Sequence, residues 1–295
     1  MSLSSQSPVT AKLLGWYARH SRDLPWRRAQ DPYSVWISEI MLQQTQVKTV
    51  TPYYRRFLAR FPSVNDLAEA RADEVLKLWE NLGYYSRARN LHAAAKRVVA
   101  RWQGRLPQDK EDLLTLPGIG EYTASAILSI AFDRPVAAID TNVSRVISRL
   151  FAIRSPLRSP ESREQVRERA NRLLSKKHPG HFNQAMMDLG AAVCTARSPS
   201  CPSCPLRSMC QAKALGLQEQ IPVAGERPAP ARKHMVAAIL FDRKKRMLLV
   251  RRPSTGLLGG LWKFPGGKMR TKESVNEAVC RTVREELGVS IRVKE

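Results

Sequence analysis

The sequence predicts a mainly helical protein followed by a smaller α+β segment. Over residues 10–215 apolar residues recur every three or four positions, the spacing of helices that bury one face, and strand-like alternation is nearly absent. Residues 220–232 contain prolines and a glycine and have little apolar content, as is typical of a linker. Beyond it, the apolar runs 234–240 and 247–250 predict a hairpin, and 273–287 predicts a helix.

The length and composition agree with two globular domains. The chain has 295 residues, of which 43% are hydrophobic and 25% charged, and these values exclude a wholly disordered or collagen-like protein. We expect a helical domain over residues 1–218, a linker over 219–232 and a second domain over 233–295. Because the chain ends soon after the last predicted helix, we expect the second domain to be incomplete.

The chain is strongly basic. It contains 49 Lys and Arg against 26 Asp and Glu, a formal net charge of +23, so nucleic acid and anionic membrane are the first partners to consider. The first ten residues lack a secretory signal, and no window offers the uninterrupted apolar run of a membrane-spanning helix. We therefore expect no membrane partner and a cytosolic or nuclear protein, or in a prokaryote a cytoplasmic, nucleoid-associated one.

Four of the five cysteines lie close together. Cys194, Cys201, Cys204 and Cys210 have the spacing C-x6-C-x2-C-x5-C, and in a reducing compartment such a cluster indicates a metal site rather than disulfides. Four thiolates suit a tetrahedral zinc ion or a cubane iron–sulfur cluster, and the number of ligands does not decide between them.

A glycine-containing turn joins two predicted helices, 108–115 and 121–132. Its sequence, LPGIG, includes Leu116, Gly118 and Gly120. Two glycines allow a tight turn with positive φ, and the unpaired amides at the start of the following helix can bind a phosphate group. An ordinary connection between helices is the alternative interpretation.

Several motifs together resemble a known family. The LPGIG turn, followed by Asp140 in the segment AIDTNV, resembles the helix-hairpin-helix DNA glycosylases. The segments WISEIMLQQTQV at 36–47, LGYYSRARNL at 82–91 and FNQAMMDLG at 182–190 are similar to the MutY-type adenine glycosylases. The resemblance implies an all-helical helix-hairpin-helix core, double-stranded DNA containing a mispaired adenine as the partner, and base excision repair of adenine opposite 8-oxoguanine or guanine.

The chemistry of such a reaction needs two carboxyl groups with different tasks. Breaking a purine N-glycosidic bond requires a proton for the leaving base and a negative charge near the cationic sugar. Glu39 lies in an apolar helix where burial should raise its pKa, and the resemblance assigns it protonation of adenine and later activation of water. Asp140 precedes a predicted helix start that should favour its ionised form, and a simple N-cap is its structural alternative. The resemblance makes Asp140 the transition-state stabiliser, with Asn142 as a hydrogen-bond partner.

Position 122 separates two branches of the helix-hairpin-helix glycosylases. In endonuclease III-like relatives a lysine at this place attacks the sugar and leads to strand cleavage. This chain has Tyr122 there, so we expect a monofunctional glycosylase with Tyr122 near the reacting sugar. A packing aromatic is the alternative role for Tyr122.

The resemblance assigns further residues to binding. The adenine pocket would be lined by Arg27, Trp26, Leu42 and Gln184. Gln44 and Tyr84 would intercalate into the duplex, and the hairpin residues Leu116, Gly118 and Gly120 would contact its backbone. The cysteine spacing is similar to the [4Fe-4S] loop of endonuclease III and MutY, so the resemblance implies that cluster as the cofactor.

The last segment matches most of a Nudix box. The matching residues are Gly267, Glu273, Arg281, Glu285, Glu286, Gly288 and Val289, but Thr282 stands where the box has a glutamate, which should weaken a divalent-metal site. MutY-type enzymes carry a Nudix-like domain that recognises 8-oxoguanine, and residues 252–253, 256–258, 260–262 and 264–265 are similar to the start of that domain.

Three alternatives to a monomeric adenine glycosylase remain open from the sequence. The first is a bifunctional, endonuclease III-like glycosylase and lyase for pyrimidine lesions. The second is a nucleotide diphosphatase that uses the Nudix box. The third is a non-catalytic DNA-binding scaffold that uses the hairpin and the cluster.

Overall fold

The computed structural model describes residues 7–28, 31–225, 232–253 and 259–293. The chain separates into two compact units, Met1–Glu226 and Arg227–Glu295. Within the described residues, none of the helices combines the length and the apolar character needed to cross a membrane. The 256–258 part of the Nudix-like resemblance lies outside the described residues.

The first unit is helical, as predicted, and its described residues contain no strand. Its helices are α1 (Pro8–His20), α2 (Pro25–Arg28), α3 (Pro32–Leu42), α4 (Val47–Arg60), α5 (Val64–Glu69), α6 (Ala72–Leu78), α7 (Ser86–Trp102), α8 (Lys110–Leu114), α9 (Glu121–Ala131), α10 (Thr141–Leu150), α11 (Pro160–Leu173), α12 (Pro179–Ala192) and α13 (Gln211–Ala214). Two short 3-10 turns, Cys201–Ser203 and Arg207–Met209, lie in the cysteine loop.

Local capping fixes where the important helices begin. Asp31 caps α3 by accepting a hydrogen bond from the Ser34 amide at 2.9 Å, and Pro32 occupies the first helical position, where no amide hydrogen is needed. Asp140 caps α10 in the same way, through the Val143 amide. Capping therefore sets the start of both helices that carry the candidate carboxyl groups.

Two hydrophobic clusters form the interior of the first unit. One gathers large side chains of α3 to α7, such as Trp36, Phe57 and Trp79, and the other joins α1 to α10, α11 and α12 through residues such as Leu13 and Phe182. Helix α3 packs against α4, α7 and α9, while α9 also packs against α12. Since α3 is covered on every side over residues 33–41, a polar residue on it has little access to water.

The predicted hairpin joins α8 to α9. Gly118 has φ +83°, and a Cβ atom there would lie 3.0 Å from Asn90 Cβ on α7, so both its conformation and its surroundings favour glycine. Gly120 has φ −105° and is the extended N-cap residue of α9, so only the first of the two glycines adopts the positive φ that the turn was expected to use. The turn needs only one left-handed residue to reverse the chain.

The second unit is a small α+β arrangement. Strand β1 (Val250–Arg251) pairs antiparallel with β2 (Trp262–Lys263), and α14 (Val275–Leu287) packs Val279 and Val283 against Ala238. Helix α14 starts with a capping box and ends at Gly288 in the left-handed conformation. The predicted hairpin between the two apolar runs is present as a tight turn, closed by the Asp242 amide, which donates to the Arg246 carbonyl at 3.0 Å, and by a Phe241–Met247 bridge.

Gly180 should be essential for the contact between α12 and α9. A Cβ atom at Gly180 would lie 2.6 Å from the Ser129 carbonyl oxygen, so Gly180→Ala should lower the free energy of unfolding by about 1–3 kcal/mol. Gly15, in the middle of α1, has open space where a methyl group would lie, and Gly15→Ala should raise stability by about 0.5–1 kcal/mol because alanine favours helix. Chemical denaturation of both variants checks this pair, and equal effects would contradict it.

Candidate active site

A cavity of about 910 Å³ in the first unit brings most of the predicted site together. It lies where α3, α9, α10 and α12 meet α2 and the loop after α3. Nine of the residues singled out from the sequence line it: Trp26, Arg27, Glu39, Leu42, Gln44, Tyr122, Asp140, Asn142 and Gln184. Residues from opposite ends of the first unit's sequence therefore face one space.

Glu39 supplies a carboxyl group that burial keeps partly protonated. It lies in the last turns of α3, and only 6% of the residue is exposed. Burial raises the pKa of Glu39 to about 7, the nearby charge of Asp140 also raises it, and a hydrogen bond with Tyr122 and the charge of Arg27 lower it. The direction of this pKa shift is the one that the sequence predicts from the apolar helix around Glu39.

Asp140 is the N-cap of α10 and also lines the cavity. Its Oδ1 accepts from the Val143 amide at 2.7 Å, and its Oδ2 accepts from Asn142 Nδ2 at 2.9 Å. The expectation that the helix start favours the ionised form is wrong in its net direction, because burial raises the pKa of Asp140 more than these hydrogen bonds and Arg145 lower it. The hydrogen bonds nevertheless hold both carboxylate oxygens in fixed positions.

Tyr122 lies beside the Glu39 carboxyl group and close enough to Asp140 to be affected by its charge. Its hydroxyl contacts the Glu39 carboxyl group and lies 3.6 Å from Met187 Sδ. Burial, with the neighbouring charges of Glu39 and Asp140, keeps the pKa of Tyr122 well above its usual value, so the side chain is a neutral phenol. At the place where lyases carry an amine, this chain presents a hydrogen-bonding hydroxyl.

Asn142 links the cavity to the cysteine loop. Arg145 Nη2 donates to Asn142 Oδ1 at 2.8 Å and to the Gly190 carbonyl at 2.7 Å, while its Nε donates to the Cys194 carbonyl at 2.8 Å. A Cβ atom at Gly190 would lie 2.7 Å from Asn142 Cβ, so α12 can approach α10 this closely only with glycine at that position. Asn142 was predicted as a site residue from its sequence motif, whereas the sequence analysis did not predict a role for Arg145.

Asp188 is the principal site residue that sequence reasoning missed. Its buried carboxylate accepts from Arg27 Nη1 at 2.7 Å, from Arg27 Nη2 at 2.9 Å and from Arg22 Nε at 2.7 Å. Although burial raises it, the two arginines hold the pKa of Asp188 below its usual value. Asp188 therefore fixes the Arg27 guanidinium at the wall of the cavity. The sequence contained one indication that Asp188 is a site residue, since it is acidic and lies among the apolar residues of the 182–190 motif.

The remaining pocket residues are held by protein contacts. Gln184 Oε1 accepts a hydrogen bond from the Tyr17 hydroxyl at 3.1 Å, which orients its amide. Trp26 packs edge-on against Tyr54 and is mostly buried, so only part of it reaches the cavity. Leu42 lies at the end of α3 beside the loop that carries Gln44.

The predicted DNA contacts differ in how accessible they are. Tyr84 is 58% exposed and Gln44 is also exposed, and both have positive φ, +48° and +56°. Gly118 and Gly120 form the hairpin described above. Leu116 is only 2% exposed and its side chain belongs to the hydrophobic interior. Only its backbone could therefore make the predicted DNA contact.

The four clustered cysteines follow α12 in a loop of tight turns. All are free and half-buried. The fully buried Arg149 lies among them: its Nη1 is 3.4 Å from Cys194 Sγ and donates to the Thr195 carbonyl at 2.6 Å, while its backbone carbonyl lies 3.4 Å from Cys210 Sγ. Four cysteine thiols in one loop match the ligand set of an iron–sulfur cluster, so the donor set fits such a cluster. In the described ranges, no group of three or more His, Cys, Asp or Glu side chains surrounds the position of a single metal ion.

In the second unit, the Nudix-box carboxylates are paired with cations. Arg281 binds Glu273 and Glu285, with nitrogen–oxygen distances of 2.6 and 2.9 Å. Glu286 accepts from Lys263 Nζ at 2.7 Å and from the Gly266 amide at 3.0 Å. Thr282 is buried and donates to the carbonyl of Ala278 in its own helix at 2.8 Å. At the position where the box has a glutamate, this chain therefore has a core residue.

Comparison with known families agrees with the fold and with the cysteine loop. The HhH-GPD superfamily of base excision DNA repair proteins matches residues 37–176, the iron-sulfur binding domain of endonuclease III matches 194–210, and the NUDIX domain matches 231–295. The fold also resembles a thermostable thymine-DNA glycosylase, with a TM-score of 0.65 and 30% identity over 70% of this chain and 95% of that one. These matches define a helix-hairpin-helix base excision repair protein, and they confirm the iron–sulfur cluster rather than the zinc alternative.

Curated relatives identify the family within the helix-hairpin-helix proteins. Adenine DNA glycosylase of Homo sapiens is 39% identical over 86% of this chain, and that of Buchnera aphidicola subsp. Baizongia pistaciae is 36% identical over 86% of this chain and 72% of its own length. The chain belongs to the adenine DNA glycosylase family, as the motifs predicted. It spans 56% of the length of the human protein and 63% of that of the Mus musculus relative.

The raised pKa of Glu39 predicts a stability change with pH. Between its unfolded value of 4.5 and its folded value of about 7, the folded protein binds more protons than the unfolded chain, so stability falls as pH rises through this window. Glu39→Gln removes this ionisation and should raise the free energy of unfolding at about pH 8 by up to about 3 kcal/mol, with the gain disappearing below about pH 4.5. Denaturation at several pH values measures it, and the exposed Glu161→Gln is the control. A gain independent of pH would refute the assignment.

Proposed function

We propose that this protein is a monofunctional, monomeric DNA glycosylase that removes adenine mispaired with 8-oxoguanine or guanine from double-stranded DNA. The observation that carries the proposal is the pairing of Glu39 and Asp140 at one cavity, with a hydrogen-bonded Tyr122 beside Glu39. Family membership supports the same activity, since the curated relatives are adenine DNA glycosylases. The size of the cavity is suitable for an extruded nucleotide.

In the first step, Glu39 acts as the acid. The proton on its carboxyl group moves to a ring nitrogen of adenine, the bond between the base and C1′ of the sugar breaks, and its electron pair leaves with the base. The sugar becomes an oxocarbenium ion, and the negative charge of Asp140 stabilises it. Arg27 and Gln184, fixed by Asp188 and Tyr17, orient the base in the pocket.

In the second step, Glu39 acts as the base. Its carboxylate accepts a proton from water while the water oxygen bonds to C1′, which leaves an abasic site and restores the protonated acid. Since Tyr122 is a neutral phenol, it cannot form the amine adduct that leads to strand cleavage. The DNA strand therefore stays intact after base removal.

The remaining features support binding rather than chemistry. The basic surface and the α8–α9 hairpin provide contacts to phosphates, and the [4Fe-4S] loop extends from the same unit. We assign recognition of 8-oxoguanine to the Nudix-like unit. The paired carboxylates and the buried Thr282 argue against a nucleotide diphosphatase, since a divalent metal would have to displace the arginine and lysine partners.

Glu39→Gln should separate binding from chemistry. The variant keeps the shape of the side chain but lacks a transferable acid proton, so it should bind duplexes with adenine opposite 8-oxoguanine while adenine release falls by at least about 100-fold. Single-turnover assays on duplexes with adenine opposite 8-oxoguanine, guanine or thymine, read before and after alkali, provide the measurement. Glu161→Gln, an exposed carboxylate on α11, should act like the unmodified protein. Normal release by Glu39→Gln would reject the assigned role, and strand breaks before alkali would indicate a lyase.

A further inference from the structure

Arg87 has an unusual environment for a cation. It lies in the first turn of α7, only 8% of the residue is exposed, and every acceptor it contacts is a backbone carbonyl or a hydroxyl. An arginine is normally kept at the surface unless buried partners satisfy its donors. The acceptors of its two terminal nitrogens come from two loops that are distant in the sequence, while its buried Nε has no hydrogen-bond partner among the described residues.

One terminal nitrogen of Arg87 contacts only the first of these loops, and the other contacts both. Nη1 donates to the carbonyls of Ile40 at 3.0 Å and Met41 at 2.8 Å, and also to that of Gln43. These carbonyls belong to the last turn and C-cap of α3, where a helix lacks intrahelical donors and where a positive charge is favourable. Arg87 therefore fixes the end of the helix that carries Glu39.

The second nitrogen reaches the loop that carries Tyr84. Nη2 donates to the carbonyls of Leu82 at 3.4 Å and Gly83 at 3.3 Å, and to Thr45 Oγ1 at 3.1 Å. The guanidinium carbon also lies 5.4 Å from the centre of the Tyr84 ring, a cation–π distance. Thr45 directly follows Gln44, so one guanidinium contacts the immediate neighbours of Gln44 and Tyr84.

Both of those residues have strained backbones. Gln44 and Tyr84 have φ of +56° and +48°, a region that residues with a side chain rarely occupy, and it persists only where the surroundings impose it. In each case the carbonyl of the preceding residue, Gln43 or Gly83, accepts a hydrogen bond from Arg87. The loops that carry the exposed Gln44 and Tyr84 are thus both hydrogen-bonded to the buried Arg87. This arginine sets the distance between the two side chains and the direction in which they project.

We propose that Arg87 is the positioning residue that aligns Gln44 and Tyr84 as a two-part wedge for opening the DNA duplex. This inference rests on the proposed function, because the wedge has a purpose only if a base is extruded into the cavity. Arg87 does not line that cavity and has no part in the proton transfer by Glu39. Its loss should reduce opening of the duplex without changing the acid that follows.

Three substitutions test the proposal against a purely structural role. Arg87→Lys keeps the charge but cannot bridge both loops with a planar fork, and Arg87→Met removes the charge. Thr45→Val removes the hydroxyl that accepts from Arg87 Nη2 at 3.1 Å and donates to the Gln43 carbonyl at 3.3 Å. Val98→Ala, which creates a small cavity elsewhere along α7, is the matched control for destabilisation of the same helix. Melting temperatures identify the variants whose stability is comparable.

Duplex opening is measured with 2-aminopurine placed beside the mismatched adenine, since this base fluoresces more when it is unstacked. All proteins carry Glu39→Gln, so that the DNA remains intact. Arg87→Lys should lose most of the fluorescence gain, and with Glu39 present it should release adenine about 10- to 100-fold more slowly, as expected when unstacking by a few kcal/mol is no longer assisted. The midpoint of the pH profile of adenine release should not move. Val98→Ala should retain the full fluorescence gain.

The outcomes are distinguishable. A full fluorescence gain in Arg87→Lys, or an equal loss in a Val98→Ala variant of the same stability, overturns the positioning role. Thr45→Val should lower the gain partially, and an unchanged gain overturns the proposal even where the Arg87 variants do not fold. If the protein with Arg87 opens the duplex but does not release adenine when Glu39 is present, the proposed function fails while the wedge remains.

Discussion

The site depends on keeping a carboxyl group in an apolar interior. Helix α3 is covered on all sides, so Glu39 loses its water and its pKa rises to about 7. A group buried this deeply destabilises the fold at alkaline pH, and such costs are typical of functional sites. The neighbours limit the penalty: Tyr122 hydrogen-bonds the carboxyl group, and Arg27 offers a distant positive charge that Asp188 fixes.

The surrounding helices can be understood as supports for this group. Helix α9 presents Tyr122, α10 begins at Asp140, and α12 approaches closely enough to bring Gln184 to the same space. These approaches depend on glycines, because at Gly180 and Gly190 a methyl group would collide with the neighbouring helix. Proline and aspartate at the start of α3 set its first residue, and Arg87 satisfies carbonyls at its end. The start of its helix and three packed neighbours thus determine the position of this acid.

Sequence reasoning predicted the parts of this arrangement that depend on local pattern. The helical first unit, the hairpin and the cysteine loop follow from periodicity, turn residues and spacing, and the carboxyl pair follows from the resemblance to a known family. Contacts between distant segments could not be predicted in this way: nothing near Asp188 in the chain indicates that it binds Arg22 and Arg27, and nothing near Arg87 indicates the carbonyls of α3. The direction of the pKa shift was predicted for Glu39 but not for Asp140. The helix start suggested a low pKa for Asp140, but the depth of its burial, which only the folded structure reveals, reverses the direction.

The inward-facing arginines change the meaning of the net charge. Arg87, Arg145 and Arg149 are at most 8% exposed, and their guanidinium groups are engaged by carbonyl oxygens. Such groups still contribute to the long-range field that attracts a polyanion, but they cannot displace counterions from a phosphate. The rate at which DNA arrives would therefore follow the full +23, whereas the dependence of the binding equilibrium on salt would report only the cations at the surface. The association rate would therefore depend on buried and surface arginines alike, and the salt dependence of binding only on those at the surface.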